Sequence, residues 1–324
     1  MKEIIVVTGG SGFIGTNLIE DLLDKGYEVW NFDVKPPKIE ERRNIWIELD
    51  LKNKEALHDQ FNKIHPDYIV DLAARTDLDG KRIDDYNDNI EAVKNVLECA
   101  NKLPMLRKVV ITSSMLVCRV GHQPHDQKDY APSTLYGESK VITEKLTWEA
   151  DIKCDWAIIR PTSIWGPWFG VPYRNFFDMV MRHRYFHIGK KSCTKTYGYV
   201  GNAVYQIEAI LFSDSKDRTD KVFYIGDYEP YPIEIWANEI AEQLGYRIIR
   251  VPYWIIKCAA IAGDMLKAMG ISFPMTSFRL KNMTTDNIID MSRTRLYAPV
   301  LPFDRKCGIV DTLDWMKKRG DNVT

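Results

Sequence analysis

The sequence predicts an α/β fold: a doubly wound parallel sheet with helices on both faces and a smaller C-terminal α/β lobe. Three observations predict it. Short β-branched runs alternate with amphipathic segments through the first 160 residues, a glycine-rich loop separates the first run from the first amphipathic segment, and beyond Pro161 the alternation fades into a stretch rich in Gly, Pro and aromatic residues. Strand and helix in regular alternation build βαβ units, whose ligand site lies beyond the carboxyl ends of the strands.

The elements follow in order. Ile4–Val7 reads as a buried strand. Ile14, Leu18, Ile19, Leu22 and Leu23 recur at helical spacing, and Gly26 supplies a stop. Val29–Phe32 is the second strand and Ile45–Leu49 the third, followed by a polar helix over 53–64. Tyr68–Leu72 is the fourth strand, and a helix over 86–102 leads to the fifth, Val109–Thr112. Leu135–Ala150 reads as a helix and Ala157–Arg160 as a sixth strand. Helical patterns over 201–213 and 233–244 flank a strand at Val222–Ile225, and the last five residues read as frayed.

Composition excludes several classes. The chain has 44 Lys+Arg against 45 Asp+Glu, a net charge of −1, which lacks the basic excess of a nucleic-acid binder. The N-terminus lacks the long apolar run of a signal peptide. The longest apolar stretch, 251–271, is interrupted by Lys257, Asp264 and Lys267, which argues against a membrane span and leaves a peripheral contact open. Six scattered cysteines without a CxxC pair read as free thiols of a cytoplasmic protein. His122 with His125, and His183 with His187, have no third ligand in view, so no metal is expected.

The loop Gly9-Gly10-Ser11-Gly12-Phe13-Ile14-Gly15 fits GxxGxxG through Gly9, Gly12 and Gly15, or GxGxxG through Gly10, Gly12 and Gly15. Both need glycine for a sharp turn, close approach of a pyrophosphate and tight helix–sheet packing, with Phe13 and Ile14 opening the helix whose N–H groups face the phosphates. This predicts a dinucleotide-binding Rossmann domain over 1–160 and a substrate-binding lobe over 161–320, some of whose segments return to the main domain. Asp33 ends the second strand eighteen residues after Gly15, where a carboxylate accepts ribose hydroxyls and repels a 2′-phosphate. NAD is therefore favoured over NADP, with Lys35, Arg42 and Arg43 keeping NADP open. Asp50 and Leu51 are placed for adenine, and Leu72, Ala73 and Ala74 offer small side chains where a dinucleotide passes closely.

Tyr136-Gly137-Glu138-Ser139-Lys140 puts Tyr136 and Lys140 one helical turn apart on one face. A nearby ammonium is expected to lower the tyrosine pKa, readying it to exchange a proton with a hydroxyl or carbonyl. Ser114, just past the fifth strand and twenty-two residues before Tyr136, can hydrogen-bond the reacting oxygen.

TGGSGFIG at 8–15, Asp33, LAA at 72–74, Asn89, TSS at 112–114, YGESK at 136–140 and RPTSIWGP at 160–167 together resemble an extended short-chain dehydrogenase/reductase. More narrowly, they resemble the NAD-dependent epimerase/dehydratase family of nucleotide-sugar enzymes. The resemblance implies that Asn89 shapes the cofactor site, that Lys140 holds the nicotinamide ribose, and that Pro161, Thr162 and Ser163 line the nicotinamide end. It also implies a homodimer in which the helices over 86–102 and 135–150 pair with their copies. Val93, Val96, Leu97, Val141, Ile142 and Leu146 are candidates for that contact or for covering the sheet. Sugar 4,6-dehydratases of the family carry an Asp-Glu pair where this chain has Met115 and Leu116, so dehydration is not expected. Cys118-Arg119 stand in place of Tyr-Gly, and Ser163 in place of a common Asn.

The reading that results is a nucleotide-sugar epimerase that transiently oxidises a sugar hydroxyl through Ser114, Tyr136 and Lys140. The alternative is a reductase or dehydrogenase of a nucleotide-linked keto-sugar or another alcohol, because 251–290 is similar to the 3β-hydroxysteroid-dehydrogenase-like branch. Ser114, Met115, Tyr136 and Lys195 are the substrate-binding candidates, Lys195 standing where many members clamp a diphosphate with Arg. Trp165, Trp168, Phe169 and Tyr173 could stack on a base beside Arg182, Arg184, Lys190 and Lys191, or simply form an apolar patch and a solvated charged face.

Overall fold

The computed structural model describes residues 2–190, 192–214, 219–271, 273 and 275–320. Lys191 and residues 321–324, on which two expectations above fall, lie outside them. The first half alternates as β1 (Ile4–Thr8), α1 (Phe13–Asp24), β2 (Glu28–Asp33), β3 (Trp46–Glu48), α2 (Lys54–Ile64), β4 (Tyr68–Asp71), α3 (Asn87–Ala100), β5 (Lys108–Thr112), α4 (Leu135–Glu149) and β6 (Asp155–Pro161). The second half holds β7 (Ser163–Trp165), α5 (Tyr173–Met181), β8 (His187–Ile188), β9 (Thr194–Lys195), β10 (Tyr197–Tyr199), α6 (Val200–Leu211), β11 (Val222–Ile225), β12 (Tyr231–Pro232) and α7 (Ile233–Gln243). It closes with β13 (Arg250–Val251), α8 (Tyr253–Ala268), α9 (Ser277–Thr284), α10 (Ser292–Tyr297) and α11 (Arg305–Lys318).

Seven parallel strands make the main sheet in the order β11–β6–β5–β4–β1–β2–β3. The order reverses at β1, with β4 on one side and β2 on the other, which leaves a crevice at the carboxyl edge where the glycine loop lies. Alternate side chains feed two apolar layers. Val6, Phe32, Ile69, Val109 and Ile111 pack with Leu57 and Phe61 of α2 and Val93, Val96 and Leu97 of α3. Ile5, Val7, Val70, Val110 and Ile159 face α1 and α6 on the other side. β11 departs from simple chain order: it comes from beyond the irregular region and pairs with β6, Phe223 opposite Ile159.

Two expectations are corrected here. Val93, Val96 and Leu97 are buried inside the chain and offer no surface to a second copy; Val141 is also buried, and Ile142 and Leu146 are half-buried. Trp165 and Phe169 are core residues rather than a stacking platform. Trp165 is fully buried among Phe177, Tyr199 and Trp236, and its indole N–H donates to Tyr231 Oη at 2.9 Å.

Helix α4 begins where Thr134 Oγ1 accepts the Gly137 N–H at 3.0 Å, an N-cap. It is fixed to the sheet by a buried ion pair. Arg160 of β6 donates from Nε to Glu144 Oε1 at 2.8 Å and from Nη2 to Glu144 Oε2 at 2.7 Å, and both side chains are essentially inaccessible to solvent. Arg160 also donates to Tyr224 Oη and to the Gln127 carbonyl, at 3.2 and 2.8 Å. Removing one partner of such a pair strands a charge in a dry site. Glu144→Ala is expected to lose about 3–5 kcal/mol of unfolding free energy. Glu144→Leu combined with Arg160→Met should recover most of that loss. Urea denaturation of the three proteins checks it; a loss below about 1 kcal/mol would remove the pair from its anchoring role.

Candidate active site

The glycine loop is packed too closely for side chains. Gly9 has φ +64°, and a Cβ there would lie 2.7 Å from the Ala73 backbone; a Cβ on Gly15 would lie 2.5 Å from the Gly9 carbonyl. The loop thus presents bare backbone in front of α1, whose first-turn N–H groups at Phe13 and Ile14 have no intrahelical acceptor. Ser11 ties the loop to the end of β2: its N–H donates to Asp33 Oδ2 at 3.1 Å and its Oγ to the Lys35 carbonyl at 2.8 Å. Asp33 Oδ1 accepts the Lys35 N–H at 2.9 Å. Asp50 is exposed past β3, whereas Leu51 is buried and its carbonyl accepts from Asn95 Nδ2 at 2.9 Å.

Leu72, Ala73 and Ala74 follow β4 and are half-buried beside Gly9. Asn89 braces the segment after them, accepting the Arg75 N–H at 2.7 Å and donating to the Arg75 carbonyl at 2.9 Å. At the far side of the crevice, Thr112 Oγ1, Ser113 Oγ and Thr162 Oγ1 are buried without a hydrogen-bond partner, next to Pro161 and the buried Ser163. A bare cradle at a helix start, a carboxylate at the end of β2 and orphaned hydroxyls at the ends of β5 and β6 form a donor and acceptor set that fits a dinucleotide.

Ser114, Tyr136 and Lys140 meet at the carboxyl edge of β5. Ser114 opens a short 3₁₀ turn over Met115–Val117, its Oγ accepting the Leu116 N–H at 3.1 Å. The first turn of α4 sits directly on this turn: a Cβ on Gly137 would lie 2.2 Å from the Leu116 carbonyl, which explains the glycine after Tyr136. Tyr136 is buried against Tyr86, with ring centroids 6.0 Å apart. Burial pushes its phenol up to about 12, the Ser114 hydrogen bond working in the other direction. The expected lowering by Lys140 is not found. Lys140 aims its ammonium at the Thr112 carbonyl, 2.8 Å away, and contributes nothing to the tyrosine shift.

Lys140 is itself strongly perturbed. Burial lowers its pKa to about 8, opposed by Asp71 and Glu144. Asp71 is a residue that sequence reasoning missed. It ends β4, is wholly buried, accepts a short hydrogen bond from Thr8 Oγ1, and is pushed upward by burial against the pull of Thr8 and Lys140. The only signal available was a charged residue closing an otherwise apolar strand.

Met115, beside Ser114, lines an open cleft together with Arg119, His122, Asn287 and Arg293. Asn287 pairs by its backbone with the segment holding Lys195: Thr196 N–H donates to its carbonyl and its N–H to the Thr194 carbonyl, each at 3.0 Å. Lys195 is half-buried, and burial lowers its pKa. The histidine pairs do not converge: His122 pairs with Asp129 and His187 with Asn238. Among the described residues no cluster of metal-ligating side chains occurs.

The sequence matches the model of the NAD dependent epimerase/dehydratase family over residues 5–222. A 3-beta-hydroxysteroid dehydrogenase of Mycolicibacterium neoaurum is 26% identical, covering 90% of this chain and 85% of its own. An N-acetyl-alpha-D-glucosaminyl-diphospho-undecaprenol 4-epimerase of Escherichia coli O157:H7 is 24% identical over 100% of this chain and 99% of its own. Among solved structures, the UDP-glucose 4-epimerase of Thermotoga maritima superposes with a TM-score of 0.72 at 20% identity, covering 98% and 99% of the two chains. The UDP-glucuronic acid 4-epimerase of Bacillus cereus, in complex with UDP-glucuronic acid and NAD, gives 0.73 at 19% identity, with the same coverage.

The Lys140 shift has a measurable consequence. The ammonium titrates near 10.5 in the unfolded chain and about 8 in the folded one, so between these values the unfolded state holds the extra proton. Stability then rises with pH: the cost of burying the charge is full below pH 8 and relieved by pH 10.5. Relative to Lys140→Met, cofactor-stripped wild type should gain roughly 3 kcal/mol across that window. Urea unfolding at stepped pH measures it, and a difference that stays flat would mean that Lys140 is not a buried cation.

Proposed function

The chain belongs to the NAD dependent epimerase/dehydratase family, and we propose that it is an NAD-dependent epimerase of a sugar carried on a diphosphate. The observation that carries this reading is the meeting of Ser114, Tyr136 and Lys140 at the carboxyl edge of the same sheet that carries the glycine cradle.

In this reading Gly9, Gly12, Phe13, Ile14 and Gly15 hold the pyrophosphate and Asp33 the adenosine ribose. Asp50, Leu51 and the 72–74 segment flank the adenine side, Asn89 keeps that segment in place, and Lys140, Pro161 and Ser163 border the nicotinamide end. Bound NAD supplies the acceptor, and later the donor, of the hydrogen carried on a sugar carbon. Tyr136 takes the hydroxyl proton and later returns it, and Ser114 Oγ hydrogen-bonds the same oxygen. A phenol that sits near 12 in the free protein needs help to ionise; the Lys140 ammonium, turned from the Thr112 carbonyl toward the phenol, would provide it. Lys195 neutralises the diphosphate, and Met115 borders the sugar. Met115 and Leu116 cannot move protons, which sets dehydration aside. A homodimer through the outer faces of α3 and α4 would draw on exposed side chains such as Glu91, Lys94, Glu138 and Lys145, with Ile142 and Leu146 half-buried beside them.

A second reading, net oxidation of a secondary alcohol, draws support from the 3-beta-hydroxysteroid dehydrogenase relative. Incubation with UDP-, GDP- and dTDP-hexoses without added cofactor separates the two. An epimeric product with no net absorbance change of the cofactor supports epimerisation, and stoichiometric reduction of added NAD with a sterol alcohol supports the second reading. Tyr136→Phe should lower turnover by about a hundredfold or more with NAD affinity nearly unchanged. Near-normal turnover would remove Tyr136 as the proton carrier.

A further inference from the structure

Helix α8 is apolar on two faces. Its inner face, Ile256, Ala260 and Gly263, is buried, packing toward Phe186, Ile188, Val251 and Met275. Its outer face carries Trp254, Cys258, Ile261 and Met265, spaced by four, three and four residues, and Met269 continues the row just past the helix end. That spacing defines one stripe. Trp254 is 67% exposed, Met265 64% and Met269 67%, and exposed Ile249, Tyr253, Ile255 and Ile271 widen the patch. A helix on the surface of a globular protein carries its charged residues on the outer face. Here Lys257, Asp264 and Lys267 all lie off the stripe.

The charges around the patch are unbalanced. Between Arg247 and Ile271 the cations are Arg247, Arg250, Lys257 and Lys267 and the only acid is Asp264, in a chain of net charge −1. Arg250 is held by Glu234, and Asp264 accepts the Ser277 N–H at 3.1 Å. Arg247 and Lys257 are exposed, Lys257 flanking the stripe one turn before Ile261; Lys267, also exposed, follows Ala260 and Gly263 on the other side of the helix.

We propose that this face is a membrane-docking surface for an anionic phospholipid leaflet. Trp254, Ile261, Met265 and Met269 enter the boundary between headgroups and acyl chains, and Arg247 and Lys257 meet the phosphates. A second copy of the chain would bring the same cations to both sides of a two-fold contact, whereas an anionic leaflet supplies the opposite charge. For a leaflet, apolar side chains, an aromatic at the boundary and cations at headgroup level suffice. The helix is not a span; no described helix is long and apolar enough to cross a membrane. The surface also lies close to the cleft in the chain. α9, which packs on α8, runs into Thr285–Asn287, the segment that pairs with Thr194–Lys195 and contributes Asn287 to the cleft. Docking would therefore bring the substrate lobe to the leaflet, whichever reaction the site performs.

The test is co-sedimentation of the full chain with phosphatidylglycerol–phosphatidylcholine vesicles and with phosphatidylcholine alone. Wild type is expected to pellet with the anionic vesicles, and less as salt rises. The double variant Trp254→Glu/Met265→Glu should bind roughly tenfold or more weakly. Its thermal unfolding should stay unchanged, because both side chains are exposed. Acyl-brominated lipid should quench tryptophan fluorescence more in wild type than in Trp254→Phe. Wild type that stays in the supernatant, or a double variant that pellets as well as wild type, would overturn the proposal. So would sedimentation velocity in which the double variant turns a lipid-free oligomer into monomer while vesicle binding is unaltered, since the face would then belong to a second copy.

Discussion

The Arg160–Glu144 fork is the interaction on which the rest of the site depends. Tyr136, Lys140 and Glu144 stand at intervals of four on α4 and so share one face. The two outer members of that row do different work. Glu144 is clamped by two parallel hydrogen bonds to β6, and such a fork fixes the helix in both translation and rotation. Tyr136, two turns away, inherits that placement. The pair is expensive to bury, so its contribution lies in selecting one arrangement of α4 over neighbouring ones.

Close packing supplies the second constraint. At Gly9 the chain touches the Ala73 backbone, and at Gly137 the first turn of α4 touches the Leu116 carbonyl. One contact sets the glycine loop against the end of β4; the other sets the tyrosine against the turn that carries Ser114. Between them lie two ionisable groups in a dry environment, Asp71 and Lys140, each displaced by burial toward its neutral form and each drawing the other back. A small change in charge near Lys140 is therefore felt at Asp71 as well.

Much of the parallel sheet was legible in the sequence because buried strands read as unbroken β-branched runs and the intervening helices carry a 3.6-residue period. The glycine loop and the Tyr136–Lys140 spacing were legible because both are local: their chemistry depends on residues a few positions apart. Three things were not. Trp165 looked like a stacking platform because composition does not reveal which side of a strand faces a core, and the rings that cover it, Phe177, Tyr199 and Trp236, lie up to seventy-one residues later. Val93, Val96 and Leu97 were ambiguous because one apolar stripe serves equally to cover a sheet or to meet a copy. The pKa of Tyr136 was misjudged because spacing places Lys140 on the same face but does not say where its ammonium points; the Thr112 carbonyl takes it.

The return of β11 to the main sheet has a consequence for how this chain can be divided. Strand β6 has β5 on one side and β11 on the other, and Arg160 reaches Tyr224 of β11 directly. A fragment ending near residue 160 would keep every cofactor-loop residue and all three of Ser114, Tyr136 and Lys140. It would also bare a row of unpaired backbone groups along β6, an invitation to edge-to-edge association. The motifs are contiguous in the first half, but the unit that can fold around them is not. Gene fusions, deletions and recombination between relatives should respect residues 222–225 as part of the half that carries the main sheet, whatever the linear order suggests.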